Sequence, residues 1–206
     1  MNKAIFLVIV LMPALLGYYP NQQATAGDFL QRLQQNQEAV KSLSANFVQV
    51  KKNPLFTEDQ QAKGKFYYVK PDKIRWEEVS PINKHIIING DKLIQFDGAS
   101  TTVTTTNGMQ AGALKSFILK TVDGSIFNDK SFATEMTQSG NTILLLLTPK
   151  NKRAARHLLN VEMHFDVNSL FLEKLILRES ETITTEITYS NQQRDLQLPD
   201  QLFSTQ

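Results

Sequence analysis

The hydrophobic pattern changes character twice along the chain. Lys3 precedes an apolar run from Ala4 to Leu16, interrupted by Pro13 and closed by Gly17. That length falls short of a comfortable bilayer span but suits the apolar segment of a secretory signal. Ala24-Thr25-Ala26 before Gly27 is a small-x-small cleavage site, so a signal peptide is expected over 1–26 and one domain over 27–206. Asp28-Phe29-Leu30-Gln31 then reads as a helix start with Asp28 as N-cap. Phe29, Leu33 and Val40 place an apolar stripe on that helix, which is expected to end near Ser42.

From Leu43 the pattern turns to short β-rich runs separated by turn residues. Val161, Met163, Phe165 and Val167 alternate with polar neighbours, and so do Ile183, Thr185, Ile187 and Tyr189. Each has one apolar and one polar face, as an antiparallel sheet with one wet side requires. Asn89-Gly90-Asp91 and Gly140-Asn141 are hairpin turns. Leu144–Leu147 has no polar face, which predicts a central strand covered on both sides. The TTVTTT run at 101–106 is β-prone. Between Met109 and Lys120, the apolar residues Ala113, Leu114, Phe117 and Ile118 predict one helical insertion. The fold class is mainly β with few helices, in a single domain.

Composition mostly removes possibilities. There is no cysteine, which excludes disulfides, thiol catalysis, cysteine-ligated zinc and an N-terminal lipid anchor. His85, His157 and His164 have no metal-ligand spacing, so neither a metal nor a cofactor is expected. No Gly-x-Ser-x-Gly elbow and no phosphate-binding glycine loop is present, and adjacent Glu77 and Glu78 point to opposite sides of a strand. An enzyme is therefore not expected. The net charge of +2 conceals an uneven distribution, with seven basic against three acidic residues over 51–75 and three against eight from Glu162 onward. Docking to a charged partner fits this distribution. Nucleic acid does not fit an exported chain.

The segment KGKFYYVKPDKIRWEEVSP (63–81), followed by KHIIINGDKLIQFDG (84–98), resembles the LolA family of periplasmic lipoprotein carriers. The features that carry the resemblance are Gly64, the aromatic strand Phe66–Val69, Lys70-Pro71, Arg75-Trp76-Glu77, Pro81 and Asn89-Gly90. Ala45-Asn46-Phe47-Val48-Gln49 matches the strand before them. The resemblance implies an unclosed antiparallel β-barrel, a half-barrel, with an N-terminal helix and a helical lid enclosing an apolar cavity. It implies acyl-chain contacts at Phe47, Phe66, Tyr68, Ile74, Trp76 and Phe96, and a lid face formed by Leu114, Phe117 and Ile118. In the family the residue before the proline is often an arginine that latches the lid. Lys70 stands here, and it lacks the planar fork of arginine. The chain also ends three residues after Phe203, where many members continue. The implied job is to carry an acylated lipoprotein, as a monomer, from an inner-membrane ABC-type releasing complex to an outer-membrane receptor. A glycolipid carrier and a lipid sensor on the same fold are the alternatives.

Overall fold

The computed structural model describes residues 26–204. The expected signal peptide lies outside them except for Ala26. A first helix, α1 (Ala26–Ala39), precedes six strands: β1 (Ser42–Lys52), β2 (Gln60–Val69), β3 (Lys73–Ser80), β4 (Lys84–Asn89), β5 (Lys92–Phe96) and β6 (Thr101–Thr105). A second helix, α2 (Met109–Asp123), leads to β7 (Phe132–Ser139), β8 (Thr142–Pro149), β9 (Asn160–Asp166), β10 (Leu172–Arg178) and β11 (Thr184–Arg194). The helix α1 begins three residues before the Phe29 that an Asp28 N-cap predicts, and it ends at Ala39 rather than near Ser42, where β1 already starts. Asp28 is therefore not the N-cap but lies in the first turn, where a carboxylate favours the helix dipole.

All eleven strands form one antiparallel sheet in the order β6-β5-β4-β3-β2-β1-β11-β10-β9-β8-β7. Hairpins build each half, and the long β1–β11 pairing joins them, with Phe47 opposite Tyr189 and Lys52 opposite Thr184. β6 and β7 each pair on one side only, so the sheet is not closed into a barrel. The connection between these two free edges is α2 itself.

The register sorts the side chains between the two faces. On one face, Leu43, Tyr68, Ile74, Ile88 and Leu93 fall in a row across five strands, and Ala45, Phe66, Trp76 and Ile86 form the next row. Phe29 and Leu33 of α1 and Val122 of α2 join the same buried cluster, so both helices cover this face. Under the β7–β9 side the cluster is dense: Leu145, Leu147, Val161, Met163 and Phe165 are fully buried, with Phe127 packed edge-on to Phe165. The run Leu144–Leu147 lies in β8, one strand in from the edge rather than at the centre. Leu144 and Leu146, facing the other way, are only half-buried.

The opposite face carries a second, smaller cluster of Ile87, Ile94 and Phe203. The C-terminal segment is tied there by Arg75 Nη1 donating to the Leu202 carbonyl (3.2 Å) and Asn89 Nδ2 donating to that of Phe203 (3.1 Å). Among the described residues, no helix is long and apolar enough to cross a membrane.

Candidate ligand-binding site

Between the helices and the middle of the sheet the core is hollow. A cavity of about 340 Å³ is walled by Ala45 of β1, Phe66 of β2, Ile74 and Trp76 of β3, Ile86 and Ile88 of β4, Leu175 and Leu177 of β10, and Ile187 and Tyr189 of β11. Its roof is Leu114, Phe117, Ile118 and Val122 of α2. The hollow follows from side-chain size and placement. On the β7–β9 side, Met163, Phe165 and the leucines of β8 fill the space below Ile126 and Phe127. On the β1–β4 side, Trp76 lies flat, stacked on Phe47 with ring centroids 3.9 Å apart, instead of standing into the interior. Gly64 makes that possible: a Cβ there would overlap the Glu77 carbonyl and lie 2.6 Å from Phe47 Cζ. The glycine allows Phe47 to sink onto the strand and gives the indole a floor.

Of the residues named from the sequence, Phe66, Ile74, Trp76, Leu114, Phe117 and Ile118 line the cavity. The other three do not. Phe47 is 1% exposed and lies beneath Trp76. Tyr68 is a buried core residue, its hydroxyl pushed up to about 12 by burial and, secondarily, by the negative charges of Asp123 and Asp72. Phe96, opposite His85 and two residues beyond Ile94, points to the other face of the sheet, where it stacks on His85 at 5.2 Å and borders a separate recess with Arg75 and Leu202. Register accounts for Phe96, whereas Phe47 and Tyr68 share the cavity's face but are sunk into its packed floor, and aromatic content alone does not tell a wall from a floor. The sequence reading missed the entire β10–β11 side, Leu175, Leu177, Ile187 and Tyr189, although the alternation in β11 marked which of its residues face inward.

The cavity wall is apolar except at its ends. Gln37, Gln192 and Arg194 line one part, and Gln49, Glu78 and Thr185 another. Burial raises the Tyr189 pKa above the ordinary phenol value.

Charged contacts fix the roof to the rim. Lys115 of α2 donates from Nζ to the Gly90 carbonyl (2.8 Å) and to Asp72 Oδ2 (3.2 Å), and Asp91 Oδ1 lies 3.8 Å away. These acceptors belong to the β2–β3 and β4–β5 turns. At the far end, Gly124 caps α2 in the left-handed region (φ 79°), where a Cβ would come within 3.2 Å of Gln34 and Gln37 of α1. Lys120 Nζ meets Asp129 Oδ2 at 2.6 Å. Lys70, the position expected to latch the lid, binds the other helix: its Nζ donates to the Glu38 carbonyl (2.9 Å), in the last turn of α1. A cation there satisfies a carbonyl without a partner in the helix and complements the dipole.

The family profile described as outer membrane lipoprotein carrier protein LolA matches residues 38–206. The chain belongs to the LolA family. An outer-membrane lipoprotein carrier protein from Methylococcus capsulatus is 23% identical over 154 residues, covering 75% of this chain and 73% of the relative. A protein of the same name from Glaesserella parasuis is 29% identical over 123 residues, covering 60% of this chain and 56% of the relative. Among solved structures, an uncharacterised conserved protein from Thermus thermophilus superposes with a TM-score of 0.55 at 8% identity, covering 88% of this LolA-family chain and 94% of that one. A chain of the Pseudomonas aeruginosa MucA/MucB complex gives 0.51 at 13% identity, covering 86% and 60%. At such identities the likeness concerns the fold alone.

Proposed function

We propose that this LolA-family protein is a periplasmic carrier that takes the acyl chains of lipoproteins into the cavity beneath α2. The observation that carries this reading is the hollow itself: an apolar chamber of about 340 Å³ between helices and sheet. Family membership supports the lipoprotein as cargo.

Each methylene removed from water is worth about 0.8 kcal/mol, so a chain of roughly fourteen carbons contributes about 11 kcal/mol. An acylated protein does not cross an aqueous compartment against that barrier unaided. An apolar chamber lowers it. A bilayer offers the same gain, so the chamber gives no direction to the transfer. Direction comes from a releasing complex of ABC type at the inner membrane and a receptor at the outer membrane. Lys115 holds the roof helix α2 to the turns at the rim, and so sets how far the mouth of the cavity can widen for a chain.

The test is transfer. The exported protein is incubated with spheroplasts, and acylated lipoproteins are sought in the soluble fraction. Lipoprotein co-purifying with the carrier is the expected result. If no lipoprotein is released and the purified protein carries only glycolipid or no lipid at all, the reading is wrong.

A further inference from the structure

Most of the polar side chains around the cavity are neutral, and the two charged ones stand in different rows of the sheet. Arg194, at the end of β11, faces Leu43 in the register and so shares the row of Tyr68, Ile74 and Ile88. Glu78 lies four residues beyond Ile74 on β3, about 13 Å away along the strand. Arg194 is half-buried, and its guanidinium lies over the Phe171 ring, 4.0 Å from the centroid. Nη1 donates to the Ser169 carbonyl (3.3 Å) and Nη2 to that of Leu170 (2.9 Å), which holds the group in place without neutralising it. Nε is sealed from solvent and has no hydrogen-bond partner. Among the described residues no carboxylate comes within 4 Å. The neighbouring Asp195 uses Oδ1 to accept the Lys41 amide instead.

This is an incomplete arrangement. A half-buried cation whose Nε is sealed from water, and whose neighbouring carboxylate is turned to another group, gains from an anion or a strong acceptor that meets it. Burial accordingly pushes the guanidinium below its ordinary value, with Asp195 opposing the shift. The aromatic platform and the two backbone carbonyls pre-orient the side chain beside the apolar wall.

We propose that Arg194 recognises the head of a second class of ligand: beyond lipoproteins, whose acyl chains end in neutral esters and an amide, the cavity takes a free acyl chain with an anionic oxygen at its end, and Arg194 pairs with that oxygen while the chain runs along Ile74, Trp76 and Leu175 toward the far wall. Glu78 repels an anion at its own end, so the ligand enters in one orientation. This assignment rests on the cavity being an acyl-chain site and adds to it a charge preference. A carboxylate and a phosphate both supply the required chemistry.

The experiment is displacement of the neutral fluorophore 1-aminoanthracene from the full exported protein by dodecanoate, dodecyl phosphate and dodecanol, all below micellar concentrations. One charge-assisted hydrogen bond in a partly dry site predicts that at least one anion binds about ten- to a hundredfold more tightly than the alcohol. The anion that binds more tightly identifies the head group. Arg194→Met should bring anion and alcohol affinities together, and Arg194→Lys should restore part of the difference. Circular dichroism melts establish that each variant is folded. Equal binding of alcohol and anions by the native protein overturns the Arg194 assignment and leaves the acyl-chain site standing. A preference that persists in Arg194→Met overturns it as well. If none of the three ligands competes, the acyl-chain reading itself fails, and this assignment falls with it.

Discussion

Lys115 offers the sharpest test of how the roof of the cavity is held. Its side chain is 18% exposed and reaches two turns of the sheet from the middle of α2. Lys115→Met keeps most of the aliphatic stem and removes the donor. The contacts are unequal in value. Asp91 is 80% exposed and 3.8 Å away, so its attraction is largely screened. The bond to the Gly90 carbonyl and the pairing with partly buried Asp72 are the substantial ones. Allowing for screening, their loss should release α2 by about 2 kcal/mol, roughly thirtyfold in a local opening equilibrium. Amide hydrogen exchange reads this directly. Exchange across 111–123 should accelerate by about that factor, while the amides of β8 and β9 keep their native rates. Unchanged exchange in α2 would show that Lys115 does not hold the helix. Equal acceleration in helix and sheet would show that α2 opens only with global unfolding, and the gating role would be refuted.

Other outcomes follow from particular contacts. Leu145→Ala empties a fully buried site and should cost about 2–5 kcal/mol in denaturant unfolding, whereas Leu114→Ala, 40% exposed on the roof, should cost under about 1 kcal/mol yet weaken acyl-ligand binding measured by titration. Gly64→Ala forces the β2–β3 pair or Phe47 to shift and should destabilise by about 2 kcal/mol or more, with a red-shifted Trp76 emission as the indole loses its floor. Asp129 is held below its usual carboxylate range by the Lys120 ammonium and then by Ser131. Its folded pKa is depressed, so its contribution is complete above the unfolded value of about 4 and is lost as pH falls through the folded one. Asp129→Asn should therefore lower the melting temperature at neutral pH, and the difference should shrink progressively below about pH 4.

Much of the fold can be read from local patterns, because a half-wet antiparallel sheet writes its period into the chain. The alternation over 161–167 and 183–189 marks inward residues of β9 and β11, and the Asn-Gly turn marks the β4–β5 hairpin. The extent and position of strands are less legible. β11 runs on to Arg194 through polar residues that pair with β1, and β8 lies near an edge although its leucines suggest a centre. The cavity is harder still. Phe47, Tyr68 and Trp76 are all large aromatics, but only Trp76 borders the hollow, since Gly64 lowers Phe47 out of it and Tyr68 is taken up in the packed core. Lys70 and Lys115 show the same limit for polar groups. A basic residue beside a proline can be recognised from sequence, but which helix it reaches depends on packing across the sheet.

The central claim is that the hollow beneath α2 takes an acyl chain. Trp76 is the chain's only tryptophan and forms part of the cavity wall, so the intrinsic tryptophan fluorescence comes from that site. Titration with a myristoylated peptide should give a saturable shift in Trp76 emission that the same peptide without its acyl group does not produce. No saturable change with the acylated peptide, or an equal change with the bare one, would contradict the account.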